Sequence, residues 1–367
     1  MIKGIYVHLP FCNNVCEYCD FTKGVFSENI KKRYIKALIK EIKNNKYDLS
    51  KVETIYLGGG TPTSLSSYLD ELFLTLEEIV DISKIKEYTI EGNPDDITLD
   101  LLETLKRHKV SRISLGVESF NIKTLKLMRR NYDYNFVKSK IDLIKLYGFD
   151  VNIDMIYGYP FETIDDVRNN LELFLSLDID HLSYYELIYE DKTILMKKLI
   201  NKEYQKPDDD LVYNMHKIIN ATLTKNHFKR YEFSNYAKNK KESLHNLIYW
   251  DLDEYLGFGA NSHSLVDNKR FYNEENIIKY IEKLENNEPY KIAEETDILI
   301  ETFIMGLRKT KGINIKETEE KFNIKILEKY PMINTYIDMK LLKIKNGFLM
   351  LTYKGMNVSN QILQIFL

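Results

Sequence analysis

Apolar positions along this chain gather in short runs of strand length, and helical spacing fills the gaps between them. The first run is "GIYVHL" (4–9), followed by a helical pattern over 26–45 with Ser27 placed as its N-cap. "VETIYLGG" (52–59) precedes a helix near 65–82, and "EYTIEGN" (87–93) precedes one near 98–107. "VSRISLGV" (110–117) leads into helical patterns near 121–129 and 134–146. "DVNIDMIYG" (150–158) leads into a helix near 163–176, and "HLSYYELI" (181–188) closes the series.

Six such units predict an α/β fold with a parallel sheet covered by helices. Six are fewer than the eight of a closed (β/α)8 barrel, so the expectation is a partial, TIM-like (β/α)6 barrel. After residue 190 the regularity ends. "NKEYQKPDDD" (201–210) reads as a connection, and a helix near 209–226 follows. The expected organisation is a core over 1–230, an aromatic and Gly-rich segment over 231–285, and a small α+β module over 286–367. In that module "EETDILIETFIMGLR" reads as a helix, and "LLKIKNGFLMLT" as a hairpin turning at Asn346-Gly347.

Composition narrows the function classes. The chain has 367 residues, 52 basic against 55 acidic, for a net charge of −3. The two signs are interspersed, which gives no electrostatic footprint for nucleic acid. No apolar stretch reaches the 18 residues of a membrane span, and the N-terminus lacks a signal-peptide pattern. The expected location is the cytosol, where thiols stay reduced.

The only cysteines are Cys12, Cys16 and Cys19, inside "HLPFCNNVCEYCDF" (8–21) just after the first predicted strand. An odd number argues against a disulfide framework. The loop is short enough for three sulfurs to meet. A tetrahedral zinc site would need a fourth ligand, for which His8 and Asp20 are nearest. Three thiolates on a cube of four irons leave one iron open to a small molecule.

Other chemistry falls on the same predicted rim. "YLGGGTPT" (56–63) is either a tight turn or a backbone cradle for a ligand. Glu91 ends the third strand and is either a surface acid or an acceptor for an ammonium or hydroxyl group. Asp154 lies inside a strand, where a carboxylate costs free energy unless paired. Arg130 offers a fork to a carboxylate or is a plain helix arginine. Farther on, "SLHNLIYWDLDEYLGFGANSHS" (243–264) holds His245, Tyr249 and the sole tryptophan, Trp250. Such groups ligate metals and stack on flat rings, or simply form core.

The Cys-x3-Cys-x2-Cys spacing, with Tyr18 before the third cysteine, resembles the radical S-adenosylmethionine (SAM) superfamily. With "EGNPDD", "RISLGVESF", "NIDMIYGYP", "HLSYYEL", "YEFSNYA", "HNLIYWDLDEYLGFGANSHS" and "FIMGLR" in order, the chain resembles the oxygen-independent coproporphyrinogen III oxidase family. Two features select its haem chaperone branch: Phe21 stands where the oxidases carry a fourth cysteine, and Cys12 comes almost at once. The resemblance implies a [4Fe-4S] cluster on Cys12, Cys16 and Cys19. It also implies SAM held by Tyr6, Gly59, Gly60, Thr61, Glu91, Glu118, Arg130 and Asp154. It makes His245, Tyr249 and Trp250 candidates to contact haem, with His245 as iron ligand. It implies haem as cargo or substrate, with a haem acceptor and an electron donor as partners; a homodimer stays open. Where the family has Gln, this chain has Glu118 and Glu186, and Tyr132 replaces a histidine. Those departures keep a second expectation in play, a catalytic enzyme that decarboxylates, methylates or opens a tetrapyrrole.

Overall fold

The computed structural model describes residues 1–367. Its first half runs β1 (Gly4–Leu9), α1 (Glu28–Lys43), β2 (Thr54–Gly59), α2 (Ser66–Ile79), β3 (Glu87–Gly92), α3 (Leu99–Arg107), β4 (Arg112–Glu118), α4 (Ile122–Leu127), α5 (Tyr134–Leu146), β5 (Asp150–Tyr157), α6 (Ile164–Ser176) and β6 (His181–Glu186). The six strands pair in parallel and in consecutive order, the expected partial barrel. Ser27 stands at the N-cap of α1 but makes no side-chain cap bond.

Next come α7 (Ile194–Ile200), α8 (Asp209–Lys225), β7 (Lys229–Arg230), β8 (Asn235–Ala237), α9 (Leu244–Trp250), β9 (Tyr255–Phe258), β10 (His263–Val266), β11 (Lys269–Asn273), α10 (Ile277–Glu285) and β12 (Lys291–Glu294). These strands extend the same sheet at both edges. β8 pairs antiparallel with β6, and β9 pairs parallel with β1 and carries β10 to β12 beyond it. No helix is long and apolar enough to cross a membrane.

The C-terminal part starts with α11 (Ile298–Gly306) and holds a three-stranded antiparallel sheet of β13 (Ile313–Asn314), β14 (Leu342–Lys345) and β15 (Phe348–Leu351), in the order β13-β15-β14. The β14–β15 hairpin turns at Asn346 and Gly347, with φ of 52° and 79°. Two consecutive left-handed residues are what a two-residue turn of matching twist needs. Around Phe303, Leu307, Ile326 and Leu349 this part has a small apolar core of its own.

Strand period two sorts the core. Ile5, Val7, Leu9, Ile55, Leu57, Ile90, Ile113, Leu115, Val151 and Ile153 pack under Leu38, Leu72, Leu102, Ile141 and Leu171 of the helices. The alternate positions carry Tyr6, His8, Tyr56, Thr89, Glu91, Ser114, Asn152, Asp154 and Ser183, which face the barrel interior. That face is polar, so its groups must be hydrogen-bonded.

At the end where the strands begin, α9 meets this need as a plug helix. Glu87 accepts from the backbone N–H of Leu244 (2.9 Å) and His245 (3.1 Å) and from the Ser243 hydroxyl (3.2 Å). Arg112 donates to Lys241 O (2.7 Å) and lies 3.6 Å from Glu87, both groups buried. Removing one member of a buried pair costs about 3–5 kcal/mol. We therefore expect Glu87→Ala to lose about that much in urea unfolding; a loss below about 1 kcal/mol would show that the plug helix does not depend on it.

Candidate functional site

The cysteine loop leaves β1 at Pro10 and returns at Gly24. Cys12 N–H donates to Gly24 O (3.0 Å), and Gly24 N–H donates to Pro10 O (2.9 Å). Inside this closed loop Cys19 N–H reaches Cys16 O (3.4 Å), and Lys23 Nζ donates to Cys19 O (2.5 Å). His8 holds the loop from within the barrel: its ring nitrogens meet the Tyr6 hydroxyl and Thr22 O, both at 2.9 Å. Glu17 is buried and holds it from outside, accepting from Arg129 Nε (3.1 Å) and Lys198 Nζ (2.8 Å). Sequence reasoning passed over Glu17, because its partners lie 112 and 181 residues away.

All three thiols are free and line one cavity of about 230 Å³ at the strands' C-terminal ends. They do not meet at a point: no three His, Cys, Asp or Glu side chains are placed to hold a single ion. His8, the nearest fourth ligand, already has both ring nitrogens bonded. Thiolates bound to separate irons of a cube need no common point. Burial pushes the Cys12 and Cys19 thiols up, so they would lose their protons on binding iron rather than before it.

The Gly-rich loop is a cradle. A Cβ on Gly60 would sit 2.7 Å from Phe11 O and 3.0 Å from Cys12 Sγ. Gly59 has φ of +116°, and a Cβ there would strike the His8 ring at 2.6 Å. The loop therefore lies directly against the cysteines. Thr61 continues the contact, donating from Oγ1 to Cys12 Sγ at 3.6 Å.

Three carboxylates and one guanidinium complete the lining. Glu91 accepts from the Tyr56 hydroxyl (2.7 Å) and Gly59 N–H (3.1 Å), and burial pushes its carboxyl up to about 7. Asp154 accepts from Ser114 Oγ (2.8 Å) and Asn152 Nδ2 (2.9 Å), and burial raises it too. Glu118, with φ of 66°, takes Arg130 at 2.8 Å; burial raises its carboxyl and the guanidinium opposes that. Arg130 also donates to Asn93 Oδ1 and Gly116 O, both at 2.8 Å. Its Nε is buried without a partner.

The structure thus brings together Cys12, Cys16, Cys19, Gly59, Gly60, Thr61, Glu91, Glu118, Arg130 and Asp154. It adds Asn93, Ser114 and Tyr185, which the sequence reading missed. Ser114 and Tyr185 share the inward register of Glu118 and Asp154, so the period-two polar set would have found them. Tyr6 stands outside the lining: its hydroxyl meets His8, and its ring stacks on Tyr56, which donates to Glu91. Glu186 is exposed and lines no part of it.

His245, Tyr249 and Trp250 lie elsewhere, on the plug helix. His245 is fully buried; its ring nitrogens meet Thr54 Oγ1 (2.7 Å) and the Tyr249 hydroxyl (2.8 Å). Burial pushes the imidazole down to about 3, so it is neutral. In this packing neither nitrogen is free for iron. Trp250 faces outward into a second cavity.

Two chemical capacities follow. The acidic pocket beside the thiols suits a ligand with an ammonium or sulfonium group, and the buried guanidinium suits a carboxylate. Its protonation should be visible in stability. A carboxyl raised from 4.5 to about 7 in the folded state stabilises fully below about pH 4.5 and loses that contribution as pH rises through 7. Glu91→Gln should therefore gain on wild type by roughly 2–3 kcal/mol between pH 5 and pH 8, in urea unfolding of iron-free protein. A pH-independent difference between the two would refute the assignment.

Comparison with known proteins gives the family. Residues 6–174 match the Radical SAM superfamily and residues 293–358 match the HemN C-terminal domain. The chain is 34% identical over 373 residues to "Heme chaperone HemW" of Lactococcus lactis subsp. lactis (strain IL1403), covering 100% of this chain and 97% of that protein. It is 31% identical to the protein of the same name from Bacillus subtilis (strain 168), covering 100% and 99%. Among solved structures, the Escherichia coli coproporphyrinogen III oxidase HemN superposes with a TM-score of 0.86 at 21% identity, covering 100% of this chain and 90% of that one. That likeness establishes the fold.

Proposed function

The chain belongs to the HemW family within the radical SAM superfamily, and from that premise we infer that it is a haem chaperone, binding haem and delivering it to an acceptor protein. The observation that carries this reading is the relatedness to proteins called heme chaperone HemW across the whole chain. The superfamily implies a [4Fe-4S] cluster and SAM, and the thiol cavity fits both.

In this reading Cys12, Cys16 and Cys19 hold the cluster. The Gly59–Gly60 cradle keeps a ligand's polar end against it, and Thr61 steadies Cys12. Arg130 takes the ligand's carboxylate with the donor capacity left at Nε, and Glu91 and Asp154 face its cationic groups. A [4Fe-4S] cluster held by the three thiolates would leave one iron open to SAM and would be able to supply an electron to its sulfonium. Lys23 and His8 keep the loop closed over that space.

Glu118 sets this pocket apart. It ties up one arm of Arg130 and adds a negative charge where the resembled family has an amide. A carboxylate arriving at Arg130 must share the guanidinium with it. The same acid favours the cationic groups of such a ligand, so Glu118 changes how the carboxylate is held rather than which cofactor the pocket takes. A reductant for the cluster and a haem acceptor are the partners this function requires.

The test is spectroscopic. Anaerobic reconstitution with iron and sulfide should give the broad visible absorption of an iron–sulfur cluster, and Cys12→Ala should abolish it. Added haem should shift its Soret band on binding wild type, and both haem and SAM should be recovered unchanged. A colourless reconstituted protein would sink the cluster; absence of any Soret shift would sink the chaperone reading. His245→Ala is a poor probe, because it strands Thr54 and Tyr249 in the barrel interior.

A further inference from the structure

Between Cys12 and Gly24 one residue is buried, and it is a carboxylate: Glu17 is 4% exposed, while the three thiols stay partly open. Its Oε1 accepts from two cations, Arg129 Nε at 3.1 Å and Lys198 Nζ at 2.8 Å. Its backbone oxygen accepts from the Leu195 amide at 2.9 Å, so α7 grips the loop at this residue. We propose that Glu17, Arg129 and Lys198 form a charge-setting site for the cysteine loop. Glu17 is a positioning residue that fixes two cations behind the thiolates, and their surplus positive charge sets how readily a cluster there takes up an electron. The proposal rests on the cluster reading above and adds what tunes that cluster.

The arrangement holds more charge than a staple needs. Apolar packing or one neutral hydrogen bond can fasten a loop, and a buried ion pair is often no more stabilising than the apolar contact that could replace it. Here a buried carboxylate meets both cations on one oxygen, while its Oε2 is buried without a partner. Lys198 is held from a second side: its Nζ donates to the Tyr204 hydroxyl at 2.9 Å and lies 4.7 Å from that ring's centre. The bond to Glu17 raises the Lys198 ammonium above the usual lysine value, so it stays charged. Arg129 follows α4 with φ of 61°, a left-handed backbone uncommon outside glycine.

One carboxylate against a guanidinium and an ammonium leaves a single positive charge in surplus. Neither helix cancels it, because residues 119–132 and 192–202, which hold α4, Arg129 and α7, contain no acid. The triad also lies close to a thiol. Glu17 follows Cys16 directly, and burial first, then the Glu17 charge and less strongly that of Cys16, push the Tyr159 hydroxyl up, so one buried group feels both.

The sign of the effect follows. The step is transfer of one electron from an external one-electron reductant to the cluster, with no bond made or broken in the triad. The added negative charge is stabilised by nearby cations and opposed by nearby carboxylates, and net charge is one of the terms that set cluster potentials. On the cavity side Glu91, Glu118 and Asp154 stand against Arg130 and Lys23. The surplus cation behind the loop offsets that acidic side. Glu17 thus has two opposed actions: it holds the cations in place, and its own charge works against them.

The experiment is a redox titration of the full-length, anaerobically reconstituted protein with titanium(III) citrate and mediators, followed by the cluster's visible absorption. Low ionic strength keeps the partly exposed cations least screened. Lys198→Met and Arg129→Met each remove one cation and should lower the midpoint potential. The expected change is about threefold to tenfold in the reduction equilibrium constant, or about 28 to 59 mV for one electron. Glu17→Gln removes the anion and should raise the potential by a similar amount. The double variant Glu17→Gln/Lys198→Met again leaves a single positive charge and should return close to wild type. A staple with no electrical role gives no such ordering; it alters only how much cluster is bound, which iron and sulfide analysis reads separately. Three results would overturn the proposal while leaving the cluster reading intact: unshifted potentials in Lys198→Met and Arg129→Met, a Glu17→Gln shift of the same sign as theirs, or loss of the cluster from all three single variants. If wild type itself takes up no cluster, both fall.

Discussion

The structure depends on one constraint: the inward face of the six-stranded half-barrel is polar and largely shut off from bulk water. An unpaired buried polar group costs about 1–3 kcal/mol, and a charge more. So almost every inward side chain finds a partner within the barrel or from the plug helix, with the Thr89 hydroxyl as an exception inside the sheet. Asn152 shows the density of the solution, donating to Ser114 Oγ (2.7 Å), Asp154 Oδ1 (2.9 Å) and Ser183 Oγ (3.0 Å) while its carbonyl meets His181 at 2.6 Å. At the lower end α9 completes the network. At the upper end it stays incomplete, with raised carboxyls at Glu91 and Asp154 and the free Nε of Arg130. The thiol cavity is the part of the polar interior that the chain leaves least satisfied.

That view links the two ends. Tyr56 donates to Glu91 in the thiol cavity, and its ring stacks on His245, with centres 5.2 Å apart and planes 26° from parallel. His245 in turn meets Tyr249, one residue before the Trp250 that lines the second cavity. Tyr56, His245 and Tyr249 are therefore the packed side chains that connect the thiol cavity with α9. A displacement of α9 must break the bond to Thr54, the stack on Tyr56, or both.

What was legible in the sequence was whatever depends on neighbours along the chain. The strand runs, the cysteine loop, the Gly59–Gly60 turn and the Asn346-Gly347 hairpin all follow from local periodicity or backbone need. The hidden features depend on contacts across long separations. Helix α7 was missed because its apolar face is short and it docks on Glu17 through the Leu195 amide. β7 to β12 are two to five residues long and gain strand character only by pairing onto an existing edge. "EETDILIETFIMGLR" begins not as helix but with Glu294 in edge strand β12, paired with Arg270. His245 looked like a ligand from its neighbours Tyr249 and Trp250, but seven-residue α9 sends His245 inward and Trp250 outward. Glu118 was legible as a departure, while its bond to Arg130, twelve residues on, needed the turn after β4.

Charge then explains what the thiol cavity is fitted to hold. It draws its character from Glu91, Glu118 and Asp154, set against Arg130 and Lys23. Burial raises all three carboxyls, so the strand ends carry acids whose charged form an arriving cationic group would stabilise. The second cavity has no such excess, because Lys309, Lys311 and Lys321 share its lining with Glu242, Asp251 and Glu317. The strand-end pocket is thus the one whose walls select by sign, and the second cavity has to select by shape.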